Sequence, residues 1–136
     1  MTVVFADTGY WLAITNPRDG LHQRALRVSE PLQGALIVTT EMVLAEWLNN
    51  PSRSRPEIRM NSAAFVRRLR ANQHVEIVPQ TAAQFRSAFE RYASRSDKAW
   101  SLTDCASFVE MERRGIEAAL THDRHFEQAG FRALLR

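Results

Sequence analysis

The chain has 136 residues, of which 45% are hydrophobic and 24% charged, ordinary values for one globular domain that buries a core without metal or disulfide staples. Cys105 is the single cysteine, so no intramolecular disulfide forms, a usage that suits a reducing cytoplasm. No apolar run approaches the roughly 20 residues that span a bilayer, and Met1-Thr2-Val3-Val4-Phe5-Ala6 lacks the basic region of a signal peptide, so a cytoplasmic protein without a membrane partner is expected.

The net charge is +3, a small excess compatible with nucleic acid and with much else. Lys98 is the only lysine; the remaining cations are arginines. Planar guanidinium groups suit phosphate recognition, and a GC-rich genome produces the same bias.

In chain order, Val3 to Ala6 is a short, β-branched apolar run ending at Asp7, which reads as a buried strand with an acid at its carboxyl end. Gly9 to Ile14 begins a helix, and Asn16-Pro17-Arg18-Asp19-Gly20 breaks it with turn-forming residues. His22 to Val28 reads as a helix that stops before Pro31. Ala35 to Thr39 is a second buried strand leading into a helix over Thr40 to Asn50, closed by Asn49-Asn50-Pro51. Pro51 to Glu57 is polar and arginine-rich with two prolines, the composition of an exposed loop, and Met60 to Ala71 returns to helix. Val75 to Val78 gives a third strand. Phe85, Phe89 and Tyr92 then recur at helical spacing and make one apolar face. Leu102 to Arg114 is a helix ended by Gly115 in a C-cap position. Ile116 to Thr121 is a fourth strand and Phe131 to Leu135 a fifth. Strands and helices alternate throughout, without repeat or linker, which predicts a single α/β domain over 1–136 with a parallel central sheet flanked by helices.

In open parallel sheets, functional groups gather beyond the carboxyl ends of the strands. Asp7 follows the first strand and Asp123 the fourth, so two acids project from one rim. Glu46 sits among Met42, Val43, Leu44, Ala45, Trp47 and Leu48. An unpaired carboxylate buried there costs several kcal/mol or takes a proton, so it needs a cation, a donor or water at its tip; otherwise it lies on a thin polar stripe. Ser101-Leu102-Thr103-Asp104 fits a capping box, with Asp104 reaching back to the Ser101 amide. A carboxylate has lone pairs enough to cap and to ligate. His22, His74, His122 and His125 make no zinc set. His122 and His125 read as loop residues, Cys105 as a helix-core thiol, and Trp11, Trp47 and Trp100 as core or interface anchors.

Phe5-Ala6-Asp7-Thr8, Leu44-Ala45-Glu46, Leu102-Thr103-Asp104 and Leu120-Thr121-His122-Asp123 together resemble the four acidic motifs of PIN domains, and within that family the VapC-type toxin ribonucleases of toxin–antitoxin pairs. The resemblance covers essentially the whole chain, including His22 with Ala25 and Asp123-Arg124-His125-Phe126. It implies a three-layer PIN-like domain in which Asp7, Asp104 and Asp123 bind metal and Glu46 completes the acidic site. Thr121 matches the hydroxyl residue that accompanies the last acid, and Thr8 is expected to orient Asp7.

Hard carboxylate oxygens suit Mg2+ or Mn2+, and clustered acids imply at least one shifted pKa. The expected reaction is in-line attack of an activated water on an RNA phosphodiester, leaving a 5′-phosphate and a 3′-hydroxyl. Arg53, Arg55 and Arg59, with Arg67, Arg68 and Arg70, are the candidates for RNA phosphate contacts, although a solvated helix face explains the last three as well. The resemblance further implies a homodimer and a cognate antitoxin, with Trp11, Trp47 and Leu48 as conceivable anchors for it. The alternatives are a non-catalytic PIN-like RNA-binding module and an RNA-processing nuclease with no toxin role. A phosphatase of the Asp-x-Asp type is disfavoured because Asp7 is followed by Thr8-Gly9, and a phosphoacceptor domain because Lys98 is poorly placed.

Overall fold

The apolar runs pair side by side in the computed structural model, which describes residues 1–136. Strands Val3–Ala6 (β1), Leu36–Thr40 (β2), Val75–Val78 (β3), Ala118–Leu120 (β4) and Arg132–Ala133 (β5) form one sheet in the order β3-β2-β1-β4-β5. Every neighbouring pair is parallel. Parallel neighbours need long crossovers, and seven helices supply them. Helices Thr8–Thr15 (α1) and His22–Ser29 (α2) link β1 to β2, and Glu41–Leu48 (α3) and Pro56–Ala71 (α4) link β2 to β3. Ala82–Ser94 (α5) and Leu102–Arg114 (α6) link β3 to β4, and Arg124–Gln128 (α7) links β4 to β5. The α/β class and the parallel sheet flanked by helices agree with the sequence reading.

The topology fixes where a site can form. From β1 the chain moves outward through β2 to β3, then returns to place β4 on the other side of β1. The direction of winding reverses between β1 and β4, and at such a switch point a crevice opens beyond the strand ends. Ala6 is in register with Leu120, and the Asp7 N–H donates to the Leu120 carbonyl at 3.2 Å. The segments after β1 and β4 therefore leave the rim side by side.

The centre of the sheet is dry: Phe5, Val38, Ala119 and Leu120 are fully buried. Two aromatic clusters hold helices to it. Phe108 of α6 packs against Trp100, Phe126 and Phe131 with centroids 5.0, 4.9 and 5.8 Å away. Phe65 of α4 packs against Trp11 and Trp47 at 5.8 and 5.4 Å. The three tryptophans are core residues, so Trp11 and Trp47 offer no exposed anchor to a partner; of the anchor candidates Trp11, Trp47 and Leu48, only Leu48 reaches the surface.

Helix ends follow local chemistry. Thr40 caps α3 by accepting the Val43 N–H at 3.0 Å. Gly115 ends α6 in the left-handed region, at φ 68°, which residues with a Cβ adopt at a cost. Four features depart from the sequence reading. The Pro51 to Glu57 stretch is not a continuous loop: Pro51–Arg53 forms a 3₁₀ turn capped by the Asn50 side chain. The next helix starts at Pro56 and not at Met60, because a proline in the first turn has no N–H to leave unpaired. The fifth strand shrinks to two residues. Finally, the Phe85, Phe89 and Tyr92 face of α5 points outward, each ring being exposed, while Gln84 and Ala88 turn inward.

Those two aromatic environments should separate in a stability measurement. Phe108→Ala is expected to cost about 3–5 kcal/mol of unfolding free energy in urea titration, and Phe85→Ala no more than about 0.5 kcal/mol. Equal losses would contradict the orientation of α5.

Candidate metal centre

Each of the four acids reaches the rim by a separate local device. Asp7 is the first residue after β1 and the N-cap of α1, and only 6% of it is exposed. The Thr121 hydroxyl donates to Asp7 Oδ2 at 2.9 Å. Ala6, just before it, is pinned by the Thr39 hydroxyl, which donates to its carbonyl at 2.9 Å and accepts from the Trp11 indole at 3.3 Å. Asp104 forms the capping box with Ser101: the Ser101 N–H donates to its Oδ2 at 3.1 Å, and its own N–H donates to Ser101 Oγ at 2.9 Å. Asp123 caps α7 by accepting the His125 N–H on Oδ1 at 2.8 Å, and its own N–H donates to Thr121 Oγ1 at 3.0 Å. Thr121 thus touches both the first acid and the last.

Glu46 is on the exposed side of α3, where it accepts the Thr8 hydroxyl at 2.5 Å. Of the two sequence readings, buried acid or thin polar stripe, the stripe holds: Ala45 and Glu46 are exposed while Met42, Val43, Leu44 and Trp47 are covered. That stripe faces the acid cleft. Thr8 also departs from expectation: its hydroxyl orients Glu46, and only its backbone amide serves Asp7.

All four acids line one open cavity of about 360 Å³, together with Thr8, Asn50 and Thr121. No lysine or arginine lines it. His125, which the sequence reading assigned to a loop, sits against the acids: its Nδ1 lies 3.1 Å from Asp104 Oδ2 and 3.3 Å from Asp123 Oδ1. Ligand atoms of Asp104, Asp123 and His125 fall within 4.8 Å of one another. The sequence signal for His125 was its place two residues after an N-capping acid, where its amide must meet that carboxylate. Nothing local reveals that its ring turns toward Asp104.

Burial works against negative charge at this site. Burial raises the Asp7 pKa from 3.8 to about 7, with Asp104 and Glu46 pushing the same way against the Thr8 and Thr121 hydrogen bonds. Burial also raises Asp104, reinforced by the Asp123 charge and opposed by Ser101 and His125. Desolvation leads in both, ahead of repulsion between the acids. An acidic, oxygen-rich cleft without a side-chain cation has the donor set of a hard divalent ion. The residues present fit one.

The arginines named from sequence lie elsewhere. Arg53, Arg55 and Arg59 do not line the acid cleft. Arg55 is exposed and paired with Glu57 at 2.8 Å, Arg59 is exposed, and Arg53 stacks its guanidinium 4.5 Å from the centre of the Trp47 ring.

Comparison with known proteins agrees with this architecture. Residues 4–132 match the model of the PIN domain. The chain is 33% identical over 134 residues to the 23S rRNA-specific endonuclease VapC20 of Mycobacterium tuberculosis, covering 95% of each. The crystal structure of that protein, described as a sarcin-ricin loop cleaving toxin, superposes with a TM-score of 0.79 at 29% identity, over 94% of this chain and 95% of that one. VapBC2 of Rickettsia felis, solved bound to a DNA fragment from its promoter, aligns with a TM-score of 0.66 over 97% of both chains; at 12% identity this likeness concerns the fold alone. This chain belongs to the PIN domain family, among its VapC-type nucleases.

The raised Asp7 pKa has a measurable consequence. A carboxyl whose folded pKa exceeds its unfolded value stabilises the fold below the unfolded pKa, and that contribution is lost as pH rises through the folded one. With chelator present, the chain should lose a few kcal/mol between pH 4 and 8 through this group. Asp7→Asn should remove most of that loss and melt higher than the parent at pH 8. Parallel melting curves for the two proteins across this range would overturn the assignment.

Proposed function

We propose that this chain is a divalent-metal-dependent endoribonuclease that hydrolyses internal RNA phosphodiester bonds, and that it is the toxin of a toxin–antitoxin pair. The observation that carries the reading is the convergence of Asp7, Glu46, Asp104 and Asp123 on one cleft at the switch point of a PIN-family sheet. The relative VapC20 is a 23S rRNA-specific endonuclease, which makes 23S rRNA the first substrate to test.

Asp7, Asp104 and Asp123 would hold Mg2+ or Mn2+, with Glu46 at the edge of the same cleft. When bound, such an ion supplies positive charge for the phosphate oxygens and lowers the pKa of water to near neutrality. The chain's own groups supply the positioning. Thr121 orients Asp7 and the backbone at Asp123; Ser101 and His125 fix Asp104; Thr8 holds Glu46 toward the cleft. Because these side chains are already anchored, little reorganisation accompanies reaction. Water adds its oxygen to phosphorus as the P–O3′ bond breaks, and O3′ leaves as a hydroxyl, so the products are a 5′-phosphate and a 3′-hydroxyl end.

The acid set also disfavours a non-catalytic RNA-binding module. A purely binding cleft has no need of four carboxylates, which repel the RNA backbone unless a cation intervenes. The toxin role rests on the VapC likeness, and with it come an antitoxin partner and a homodimer. Light scattering on the purified chain tests the dimer, and an adjoining antitoxin gene separates a toxin from an RNA-processing nuclease.

Asp7→Asn and Asp104→Asn are each expected to lower RNA cleavage at least about a hundredfold, with circular dichroism unchanged for Asp7→Asn. Excess EDTA should abolish turnover and Mn2+ or Mg2+ restore it. Undiminished cleavage in EDTA, or in both variants, would refute the nuclease reading.

A further inference from the structure

A second cavity, of about 440 Å³, opens between the end of α1, the Pro51–Arg53 turn and α4. Its rim carries three guanidiniums, Arg18, Arg53 and Arg68, and no acid lines it. None of the three pairs with a carboxylate, in contrast to Arg55, Arg91, Arg95, Arg113, Arg114 and Arg136. Arg53 is held in place: it lies over Trp47, its Nε donates to the buried Ser62 hydroxyl at 2.9 Å, and its Nη1 donates to Thr15 Oγ1 at 3.2 Å. A guanidinium has five N–H donors, so three of its donors are left over, and burial pulls the Arg53 pKa down. The indole N–H of Trp47, which is fully buried and lines the same pocket, has no hydrogen-bond partner. Positive charge without a counter-charge, around a fixed and partly desolvated guanidinium, has the donor set of an anion site.

The two cavities share walls. α1 begins at Thr8 in the acid cleft and ends at Thr15 against Arg53, an axial distance of about 10 Å. Glu46 and Trp47 are adjacent on α3, and Asn50 lines one cavity while Arg53 lines the other. That gap is within the span of a short stretch of RNA backbone.

We propose that the Arg18–Arg53–Arg68 pocket binds a phosphate of the RNA strand a few nucleotides from the bond being cut, and so sets where the strand crosses the acid cleft. This deepens the nuclease reading and rests on it. An apolar peptide segment fits less well, because only three of the eleven lining residues are hydrophobic and Arg53 already covers the Trp47 ring.

The test uses a fluorescent hairpin oligoribonucleotide, with anisotropy read over a series of KCl concentrations in the Asp7→Asn background so that no cutting intervenes. Arg18→Gln and Arg68→Gln alter exposed side chains. Each is expected to weaken binding roughly tenfold and to reduce the salt slope by about one. Arg53→Lys keeps the charge but loses the fork, and should weaken binding with the slope retained. With Asp7 restored, hydrolysis of bis(4-nitrophenyl) phosphate, too small to span both cavities, should be unchanged in the Arg18 and Arg68 variants. Unaltered RNA affinity and slope would overturn the proposal, as would weakened antitoxin binding with RNA binding intact, which would make the pocket a protein dock. Failure of the parent chain to hydrolyse either substrate with Mn2+ would instead sink the nuclease reading, while anisotropy still decides the phosphate site.

Discussion

The desolvated carboxylate of Asp7 is the constraint around which this molecule is arranged. At 6% exposure, burial pushes its pKa up to about 7, so its charged form is costly near neutrality. The fold gives it one side-chain donor, Thr121, and one backbone donor, Thr8. Both lower its pKa, and burial still wins. A chain selected for stability alone would place an amide there. Retaining the acid makes sense if a divalent cation settles the charge, converting an unfavourable burial into a binding energy. Asp104 is in a milder form of the same position, with burial again leading.

The acids are held by the bonds that end secondary structure. Asp7, Asp104 and Asp123 serve at the starts of α1, α6 and α7, where unpaired N–H groups favour negative charge. Asp104 exchanges reciprocal bonds with Ser101, and Asp123 receives the His125 amide. Structural capping and site assembly are therefore not rival readings of these residues. Capping bonds fix the Asp104 and Asp123 carboxylates, and the Thr121 hydroxyl fixes Asp7, before any ion arrives, which leaves further lone pairs on each carboxylate. Thr121 joins the two strands that matter, since its hydroxyl meets Asp7 while its carbonyl accepts the Leu135 N–H at 3.0 Å.

What was legible in the sequence was local. The Val75–Val78 strand, the Leu102–Arg114 helix and its Gly115 cap are as read, because propensity, capping and turn chemistry all act within a few residues. Asp7 and Asp123 were legible as rim acids because a strand end is itself a local feature. Burial was harder. Glu46 looked enclosed from its neighbours in sequence, yet α3 leaves one stripe open over the cleft. Phe85 and Phe89 share one apolar face, as the spacing says, but that face is exposed and α5 turns Ala88 inward on its other side, toward α6. His125 looked like loop because what defines it, the approach to Asp104, joins two residues 21 apart in sequence. Each of these was decided by which neighbour occupies a face, and that is a tertiary fact.

The arginine count, ambiguous in the sequence, becomes informative once sorted by partner. On the α5–α6 side, Arg91 meets Glu112, Arg113 and Arg114 meet Glu110, and Arg114 also meets Glu76. Those cations are neutralised, and the Arg114 contacts tie β3 to α6. In the pocket between α1, the Pro51–Arg53 turn and α4, no acid lines the wall around the guanidiniums of Arg18, Arg53 and Arg68. An anionic strand approaching four carboxylates meets repulsion unless it is gripped on at least one flank. The small excess of +3 says little about such a grip, because paired and unpaired arginines count alike in it. The pocket of Arg18, Arg53 and Arg68 shares α1 with the acid cleft and opens at the other end of that helix, where its attraction acts on the strand without cancelling the charge that the cleft needs to hold its ion.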